Sequence, residues 1–341
     1  MPSIANSRIW RDGTLQDDDV TSEELDAAAL DPETLTWIDL LAPTRAELDY
    51  VATRLHLRPT AIEDALSAHE RPKVTPHPDH LFFTAYATAL RPPSTGDVSD
   101  AGLVLSRISG FVLPNALITV RLDDTVDMSR IITHWEDNAE LLRFGPGALV
   151  HGLLDTIVDG HFDTIQQLDD VIEDLEDELF AERPQGREFA RRVYAIRKDL
   201  VALRRVVLPM REVVGALQRH RPTFAAKGLS HGLDHSELDS WFDDLYDHVL
   251  RASEWTESLR DLISSVFETN LSLQDQRLND IMKKLAGWAA IIAVPTAITG
   301  WFGQNVPYPG FSQPLGLWLA TALIVGCSLA LYVVFKHRDW L

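Results

Sequence analysis

The chain has 341 residues, of which 31 are lysine or arginine and 51 are aspartate or glutamate, so its formal charge is −20. That charge argues against a nucleic-acid-binding protein, which needs a basic surface to displace counterions from phosphates. The single cysteine, Cys327, excludes an internal disulfide framework and a cysteine-based zinc finger. Charged side chains are unevenly placed, because residues 285–335 contain none of them. We therefore expect a large acidic part joined to a small membrane part.

Residues 1–148 have the pattern of a cytoplasmic domain in which strands and helices are mixed. Runs rich in β-branched and aromatic residues predict four strands, at residues 36–40, 80–90, 102–113 and 116–122. Residues 44–55 and 59–66 predict helices, and Thr44 and Glu47 have the spacing of a capping box. The predicted fold class is α+β, a mixed sheet with flanking helices.

Two long helices of opposite charge are predicted within residues 149–235. Apolar residues recur at helical spacing through the first, which carries nine acidic residues and no lysine or arginine between Asp163 and Glu182. The second, residues 187–219, is rich in arginine. We expect the two to pack as an antiparallel hairpin. The acidic helix presents either an ordinary solvated face or a cation-attracting surface, and composition does not choose between these alternatives.

Residues 236–284 predict a long stalk helix. The 51 residues from 236 to 286 contain no glycine or proline, and as a helix they would form a rod of about 75 Å. The pattern continues into the first apolar segment without a breaker, so the stalk and the membrane span should be one helix. A helix of this length cannot bury its apolar side alone, and a bundle with neighbouring subunits is the natural solution.

The uncharged segment contains two stretches that are long enough to cross a bilayer as helices, residues 285–302 and 315–335. Residues 303–314 lie between them and contain three prolines and two glycines, which predict an outer loop. A buried hairpin in a soluble core is the alternative, but soluble cores rarely contain 51 consecutive uncharged residues. We therefore predict a membrane protein with two spans.

Basic residues flank this hairpin on one side. Lys283 and Lys284 precede the first span, and the basic tail 336–341 follows the second, whereas the loop carries no charge. By the positive-inside rule, both termini are expected in the cytoplasm. The sequence thus predicts a multi-pass protein of the cell membrane, with the lipid bilayer as a partner.

One face of the first span is a candidate ion pathway. Two helices enclose no lumen, so a conducting protein would need several copies around a shared axis. Steps of three and four place mostly small residues on one face, namely Asn279, Met282, Leu285, Ala289, Ala293, Thr296, Gly300 and Gly303. Helix packing through small residues would produce the same pattern, so both interpretations stay open.

The sequence shows no enzyme motif, since it has no P-loop, dinucleotide fingerprint, nucleophile elbow or zinc-protease motif. His231 and His235 have the spacing of a two-histidine metal site, although capping of the long helix is the simpler interpretation of this segment. His77 and His80 are typical of an ordinary turn before a strand.

The end of the first span carries the motif Gly303-Gln304-Asn305, which resembles the signature of the CorA family of divalent-cation transporters. Members of that family end the first span in Gly-Met-Asn or, in the ZntB-like branch, in Gly-X-Asn. Similarity extends over nearly the whole chain, through residues 69–74 (HERPKV), 197–214, 242–249 and 278–285.

The resemblance implies a homopentamer with a funnel-shaped cytoplasmic domain and five long helices around one pore. The Gly303-Gln304-Asn305 motif would form the selectivity ring, where neutral oxygens meet a hydrated Mg²⁺. Asn279 would form a polar ring at the cytoplasmic end, and Met282 and Leu285 a hydrophobic constriction. The function implied is uptake of Mg²⁺, with Co²⁺ and Ni²⁺ as further candidate ions.

The resemblance also implies regulation by metal. Asp244 matches a stalk carboxylate that binds regulatory Mg²⁺ between subunits, and Asp247 and His248 are weaker candidates. Metal bound there would favour the closed state, so low internal Mg²⁺ would open the pore. The family's second interface carboxylate has no assigned match, and Asp97 and Asp100 are the candidates.

Three departures from the family pattern bear on the choice of ion. Gln304 replaces the usual methionine, the outer loop has no acidic residue, and Ala289 and Ala293 are small. A ZntB-like zinc transporter is therefore one alternative, although residues 285–335 contain no carboxylate or histidine to relay a proton. A membrane-anchored scaffold that senses metal without transporting it is the other alternative.

Overall fold

The computed structural model describes the chain in segments separated by short gaps. The described residues are 4–18, 29, 31–68, 70–91, 102–180, 187–225, 234, 236–304, 307–308, 310–311 and 313–340. The chain divides into two compact units, Met1–Val266 and Phe267–Leu341. The first unit holds the sheet and its covering helices, and the second holds both apolar spans.

A seven-stranded mixed sheet forms the centre of the first unit. Its strands are β1 (Ile4–Arg11), β2 (Thr14–Asp17), β3 (Leu35–Leu41), β4 (Lys73–Pro76), β5 (Leu81–Arg91), β6 (Gly102–Val112) and β7 (Ala116–Arg121). Their spatial order is β2-β1-β3-β7-β6-β5-β4, and only β3 and β7 pair in parallel. The predicted α+β class is confirmed.

The four predicted strands correspond to β3, β5, β6 and β7, each within one residue of its expected ends. The other three, β1, β2 and β4, lie outside the predictions. The short strands β2 and β4 are at the two edges of the sheet, β2 is exposed along its length, and β4 ends at Pro76. Edge strands of this kind lack the alternation of buried and exposed residues by which a strand is recognised.

Helices cover both faces of the sheet, and the alternation of side chains along each strand decides which face a residue enters. Ile38 and Phe82 belong to the core on one face, whereas their neighbours Trp37 and Phe83 belong to the core on the other. The helices are α1 (Arg45–Leu55) and α2 (Pro59–Leu66) on the first face, and α3 (Met128–Asp137) and α4 (Pro146–Leu179) on the second.

The predicted capping box starts α1. The backbone N–H of Thr44 donates to Glu47 Oε2 at 2.8 Å, and the backbone N–H of Glu47 donates to Thr44 Oγ1 at 3.3 Å. The bond from the Thr44 backbone and a second one, which Thr44 Oγ1 donates to Glu47 Oε2 at 2.8 Å, lower the pKa of the exposed Glu47 carboxyl.

The acidic helix α4 has its basic partner, but that partner is two helices, which corrects the prediction of one helix over residues 187–219. α5 spans Arg187–Val207 and α6 spans Met210–Ala225. Pro209 separates them because it has no N–H to continue the hydrogen bonds of α5. Its carbonyl instead accepts from the N–H groups of the first residues of α6, at 2.9 and 3.1 Å. Glu178 Oε2 of α4 and Arg192 Nη1 of α5 lie 2.6 Å apart.

A single helix, α7 (Ser236–Phe302), contains both the predicted stalk and the predicted first span, so that prediction is confirmed. Its early residues Leu238, Phe242, Leu245 and Val249 recur at three and four and are buried in the core of the first unit. The second span is α8 (Pro314–His337). Both α7 and α8 contain an apolar stretch that is long enough to cross a membrane, and little of either stretch is buried within the chain.

Candidate cation pathway and stalk carboxylates

The candidate pathway face lies on α7. Its members are exposed in the single chain, and they are Asn279, Met282, Leu285, Ala289, Ala293, Thr296 and Gly300. Met282 and Leu285 keep 61% and 63% of their surface exposed, and they belong to a larger exposed apolar surface of α7 that also includes Ile281, Trp288 and Ile292. A face exposed over about six helical turns is free to meet another subunit, lipid or a pore.

Two threonine hydroxyls lie near Pro295 in this part of α7. Pro295 has no N–H, so the Ile291 carbonyl loses its usual helical donor. Thr296 Oγ1 donates to the Ile292 carbonyl at 3.2 Å, and Thr299 Oγ1 donates to the Pro295 carbonyl at 2.8 Å. Each hydroxyl oxygen keeps lone pairs that can accept a hydrogen bond from water or contact a cation.

The motif follows the last turn of α7 directly. The N–H of Gly303 donates to the Thr299 carbonyl at 2.8 Å, and the N–H of Gln304 donates to the Trp301 carbonyl at 3.3 Å. A Cβ atom at Gly303 would lie 3.0 Å from the Thr299 carbonyl oxygen, whereas one at Gly300 would have no atom within 4 Å. Lack of space within the subunit therefore favours glycine at 303 but does not require it at 300.

The loop after the motif is tied back to the end of α7. Tyr308 Oη donates to the Phe302 carbonyl at 3.0 Å, and the two rings pack edge to face with centroids 5.1 Å apart. Gly310, at φ +89°, lies so close to Gly316 of α8 that a Cβ on Gly316 would come within 2.6 Å of the Gly310 carbonyl. Asn305, the third residue of the motif, lies outside the described residues.

The three stalk candidates lie on the part of α7 that belongs to the first unit. Asp244 Oδ2 is 3.7 Å from His248 Nε2, one helical turn further on. The His248 ring packs edge to face against Phe162, with centroids 6.2 Å apart. Asp244 and Asp247 are exposed, so both carboxylates are accessible to a cation or a neighbouring subunit.

A partly buried carboxylate near these residues, Asp155 on α4, is missing from the sequence predictions. Its side chain is 18% exposed, and its Oδ2 lies 3.7 Å from His134 Nε2. Burial raises the pKa of Asp155, electrostatic interactions with His134 and His248 oppose that rise, and the charge of Asp244 adds to it. The sequence signal that could have indicated Asp155 is its four-residue spacing from Asp159. Burial raises the pKa of Asp159 as well.

Within the described residues, no group of three or more histidine, cysteine, aspartate or glutamate side chains could hold a metal ion by itself. A metal ion bound at Asp244 would therefore take water or another subunit's groups as its remaining ligands. The other sequence candidates, Asp97, Asp100, His231 and His235, lie outside the described residues.

Comparison with known proteins shows which family has this architecture. Residues 32–337 match the family described as "CorA-like Mg2+ transporter protein". The curated "Cobalt/magnesium transport protein CorA" of Thermotoga maritima is 28% identical over 323 residues, which cover 91% of this chain and 85% of that protein. The "Zinc transport protein ZntB" of Yersinia enterocolitica is 27% identical over 273 residues, which cover 73% and 77%.

Among solved structures, the CorA magnesium transporter from Methanocaldococcus jannaschii has the same fold. It matches with a TM-score of 0.72 and 24% sequence identity over 98% of both chains. The match therefore includes the sheet, the long helix and both apolar spans. Because the family match covers most of the sequence, the chain belongs to the CorA-like Mg²⁺ transporter family, a family of membrane transporters for divalent cations rather than enzymes.

Proposed function

We propose that this chain forms a homopentamer that conducts Mg²⁺ into the cell, with Co²⁺ and Ni²⁺ as further candidate ions. The observation that carries the proposal is the exposed face of α7, which ends directly at Gly303 and Gln304. Two spanning helices enclose no lumen, so this face can line a pathway only when several copies surround a shared axis. Five copies are what the resemblance to CorA transporters implies.

At the outer mouth, the Gly303-Gln304-Asn305 motif would present amide and carbonyl oxygens to the ion. Mg²⁺ is a hard cation that prefers oxygen ligands and gives up its water reluctantly. Neutral oxygens can accept hydrogen bonds from the water that the ion keeps, so the ion can be recognised before it dehydrates. Gln304 is exposed at the end of α7 and would supply a second amide beside that of Asn305.

At the inner end, Asn279 would form a polar ring, and Met282 and Leu285 would form a constriction that closes by dewetting. With both termini in the cytoplasm, the membrane potential would drive the ion inward. At about 2.3 kcal/mol per charge per 100 mV, a divalent cation gains roughly 4.6 kcal/mol at −100 mV. This driving force suffices for uptake without a proton relay in the spans.

Regulation would act through the stalk. Asp244, supported by Asp247 and His248, would bind Mg²⁺ together with groups of the next subunit. The ion would tie neighbouring subunits together and favour the closed state, so loss of internal Mg²⁺ would shift the population towards the open state. Asp155 of α4 would contribute as well, because a cation bound near Asp244 would lower the free-energy cost of ionising the Asp155 carboxyl.

Zinc is the second candidate cargo, and the relative named as a zinc transport protein supports it. Gln304 in place of methionine is consistent with the ZntB-like branch. The imidazole of His248 would suit Zn²⁺ better than Mg²⁺ as a stalk ligand, because zinc accepts nitrogen ligands and magnesium prefers oxygen.

The test is ion uptake into liposomes that contain the full-length protein and a dye for Mg²⁺ or Zn²⁺. Wild type is expected to take up Mg²⁺, and Asn305→Ala is expected to lower uptake about tenfold. The matched control, Gln313→Ala, removes an exposed amide from the same loop and should leave uptake unchanged. Uptake of zinc alone would replace magnesium as the cargo, and uptake of neither ion would favour a metal-sensing scaffold.

A further inference from the structure

A basic cleft lies in the first unit between α6 and the segment that leads into β4. Its volume is about 590 Å³, which is within the range of small-molecule binding sites. Residues 71–74 form one wall and α6 forms the other, while Tyr246 of α7 contributes its ring. None of these residues belongs to the pathway face or to the stalk carboxylates.

The charge of the cleft is opposite to that of the chain. Arg71, Lys73, Arg211 and Arg219 line it, against a single carboxylate from Glu212. The whole chain carries a formal charge of −20, so a concave surface with four basic side chains differs in sign of charge from the chain as a whole. Positive charge concentrated in a concave site raises the local concentration of anions.

Most of this positive charge is uncompensated. Lys73 is paired, since its Nζ lies 2.7 Å from Asp64 and 3.0 Å from Glu70. The ion pairs formed among the described residues do not include Arg71, Arg211 or Arg219. Three exposed guanidinium groups on two walls can therefore each offer paired N–H donors to a ligand, the geometry that suits phosphate oxygens.

The floor of the cleft is open because of one glycine. Arg211, Gly215 and Arg219 follow each other at four-residue spacing, so they lie on the same face of α6. A Cβ atom at Gly215 would lie 3.3 Å from Arg219 Nη1 and 3.8 Å from the Tyr246 ring. A larger side chain at 215 would intrude between the guanidinium and the aromatic ring.

We propose that this cleft binds a polyphosphate anion. Arg71 on one wall and Arg211 and Arg219 on the other suit a ligand that carries at least two phosphate groups. The half-buried ring of Tyr246 offers a surface on which a base could stack when the ligand is a nucleotide. The shared chemistry is the phosphate chain, whose source is either a nucleotide or an inorganic polyphosphate. The inference stands independently of the proposed transport function.

The test is equilibrium binding of trinitrophenyl-ATP to the full-length protein in detergent, followed by fluorescence. EDTA is present throughout, so the probe cannot act by removing a bound divalent cation. We expect saturable binding that Arg211→Gln and Arg219→Gln each weaken about tenfold, as loss of a charge-assisted hydrogen bond would. Arg191→Gln, which removes an exposed arginine from α5, is the matched control and should bind as wild type does.

A second variant separates shape from charge. Gly215→Leu keeps every arginine and is expected to abolish binding, while the oligomer elutes as wild type does. Displacement of the probe by tripolyphosphate as well as by ATP would assign the site to the phosphate chain, and displacement by ATP alone would assign it to nucleotides. Absence of saturable binding, or equal weakening by Arg191→Gln and Arg211→Gln, would overturn the proposal.

Discussion

Asp244 Oδ2 and His248 Nε2 lie 3.7 Å apart on successive turns of α7. Both residues act electrostatically on the partly buried Asp155 of α4, and they do so with opposite sign. A cation at Asp244 would cancel the repulsion between the two carboxylates and so favour the ionised form of Asp155. If the proposed regulatory cation binds at Asp244, this coupling would transmit its charge to Asp155 on α4.

Removal of Asp244 should uncouple the stalk from magnesium. In wild type, millimolar Mg²⁺ is expected to slow limited proteolysis of the full-length protein several-fold, because under the proposed regulation the ion would hold neighbouring subunits together. Asp244→Ala should lose this protection, whereas Asp261→Ala, which removes another exposed carboxylate of α7, should keep it. Equal protection of the two variants would remove Asp244 from the regulatory site.

Asp155 should cost stability when it is ionised. Burial raises its pKa above the ordinary value of 3.8, so the folded state binds the proton more tightly than the unfolded state does. The stability that it contributes is full below pH 3.8 and is lost as the pH rises through the raised pKa. Asp155→Asn cannot ionise, so in EDTA at pH 7.5 it should raise the thermal midpoint by about 2 °C, the shift typical of 1 kcal/mol.

The pH dependence distinguishes this effect from ordinary repacking. The gain in Asp155→Asn should shrink towards zero as the pH falls below 3.8, where Asp155 is protonated in both the folded and the unfolded state. Asp170→Asn alters an exposed carboxylate on the same helix and should leave the midpoint unchanged at either pH. A gain that did not vary with pH would contradict the assignment of the raised pKa.

His80 should make the fold sensitive to acid. Burial, with a contribution from the charge of His77, lowers the pKa of His80 to about 4, and its ring lies 4.6 Å from that of His77 and 5.8 Å from that of Phe111. Within the described part of the chain neither ring nitrogen of His80 has a hydrogen-bond partner. The stability that His80 contributes is therefore fully present above the unfolded pKa of 6.5 and is lost as the pH falls towards 4.

The variant His80→Phe keeps an aromatic ring of similar shape and cannot take up a proton. We expect it to match or exceed wild-type stability at pH 7.5 and to lose less stability between pH 6.5 and 4. The difference in slope should approach one proton, or about 1.4 kcal/mol per pH unit. Urea unfolding at several pH values measures it, and parallel curves for the two proteins would show that His80 is protonated equally in both states.

Tyr308 should hold the outer mouth in place. Its hydroxyl donates to the Phe302 carbonyl in the last turn of α7, next to the motif. Tyr308→Phe removes this bond, worth about 1 kcal/mol, so Mg²⁺ uptake into liposomes should fall about two- to fivefold without loss of assembly. Tyr332→Phe removes a hydroxyl from α8 and serves as the control. Unchanged uptake in Tyr308→Phe would show that the loop does not position the motif.

The long helix could be predicted because its signals are local. Residues 236–286 contain no glycine or proline, and the buried stripe from Leu238 to Val249 recurs at helical spacing. The helix also continues through Pro295, although this residue has no backbone N–H to donate a helical hydrogen bond. Pro209 breaks the basic helix instead, since a new helix begins just after it, and the hydrophobic pattern alone does not distinguish the two prolines.

The stalk cluster could be predicted only in part. Asp244 and His248 are four residues apart on one helix, so their proximity follows from helical geometry. Asp155 comes from α4, and His134 reaches it from α3. Those contacts depend on how the helices pack on the sheet, which no short-range pattern in the sequence encodes.

The central claim is that identical subunits assemble around one axis, since a single hairpin cannot form a conduit. Native mass spectrometry of the full-length protein released from detergent micelles tests it most directly. One dominant species of about 190 kDa is expected, which corresponds to five chains of 38.2 kDa. A species at the mass of one chain, in detergent and in lipid nanodiscs alike, would contradict it.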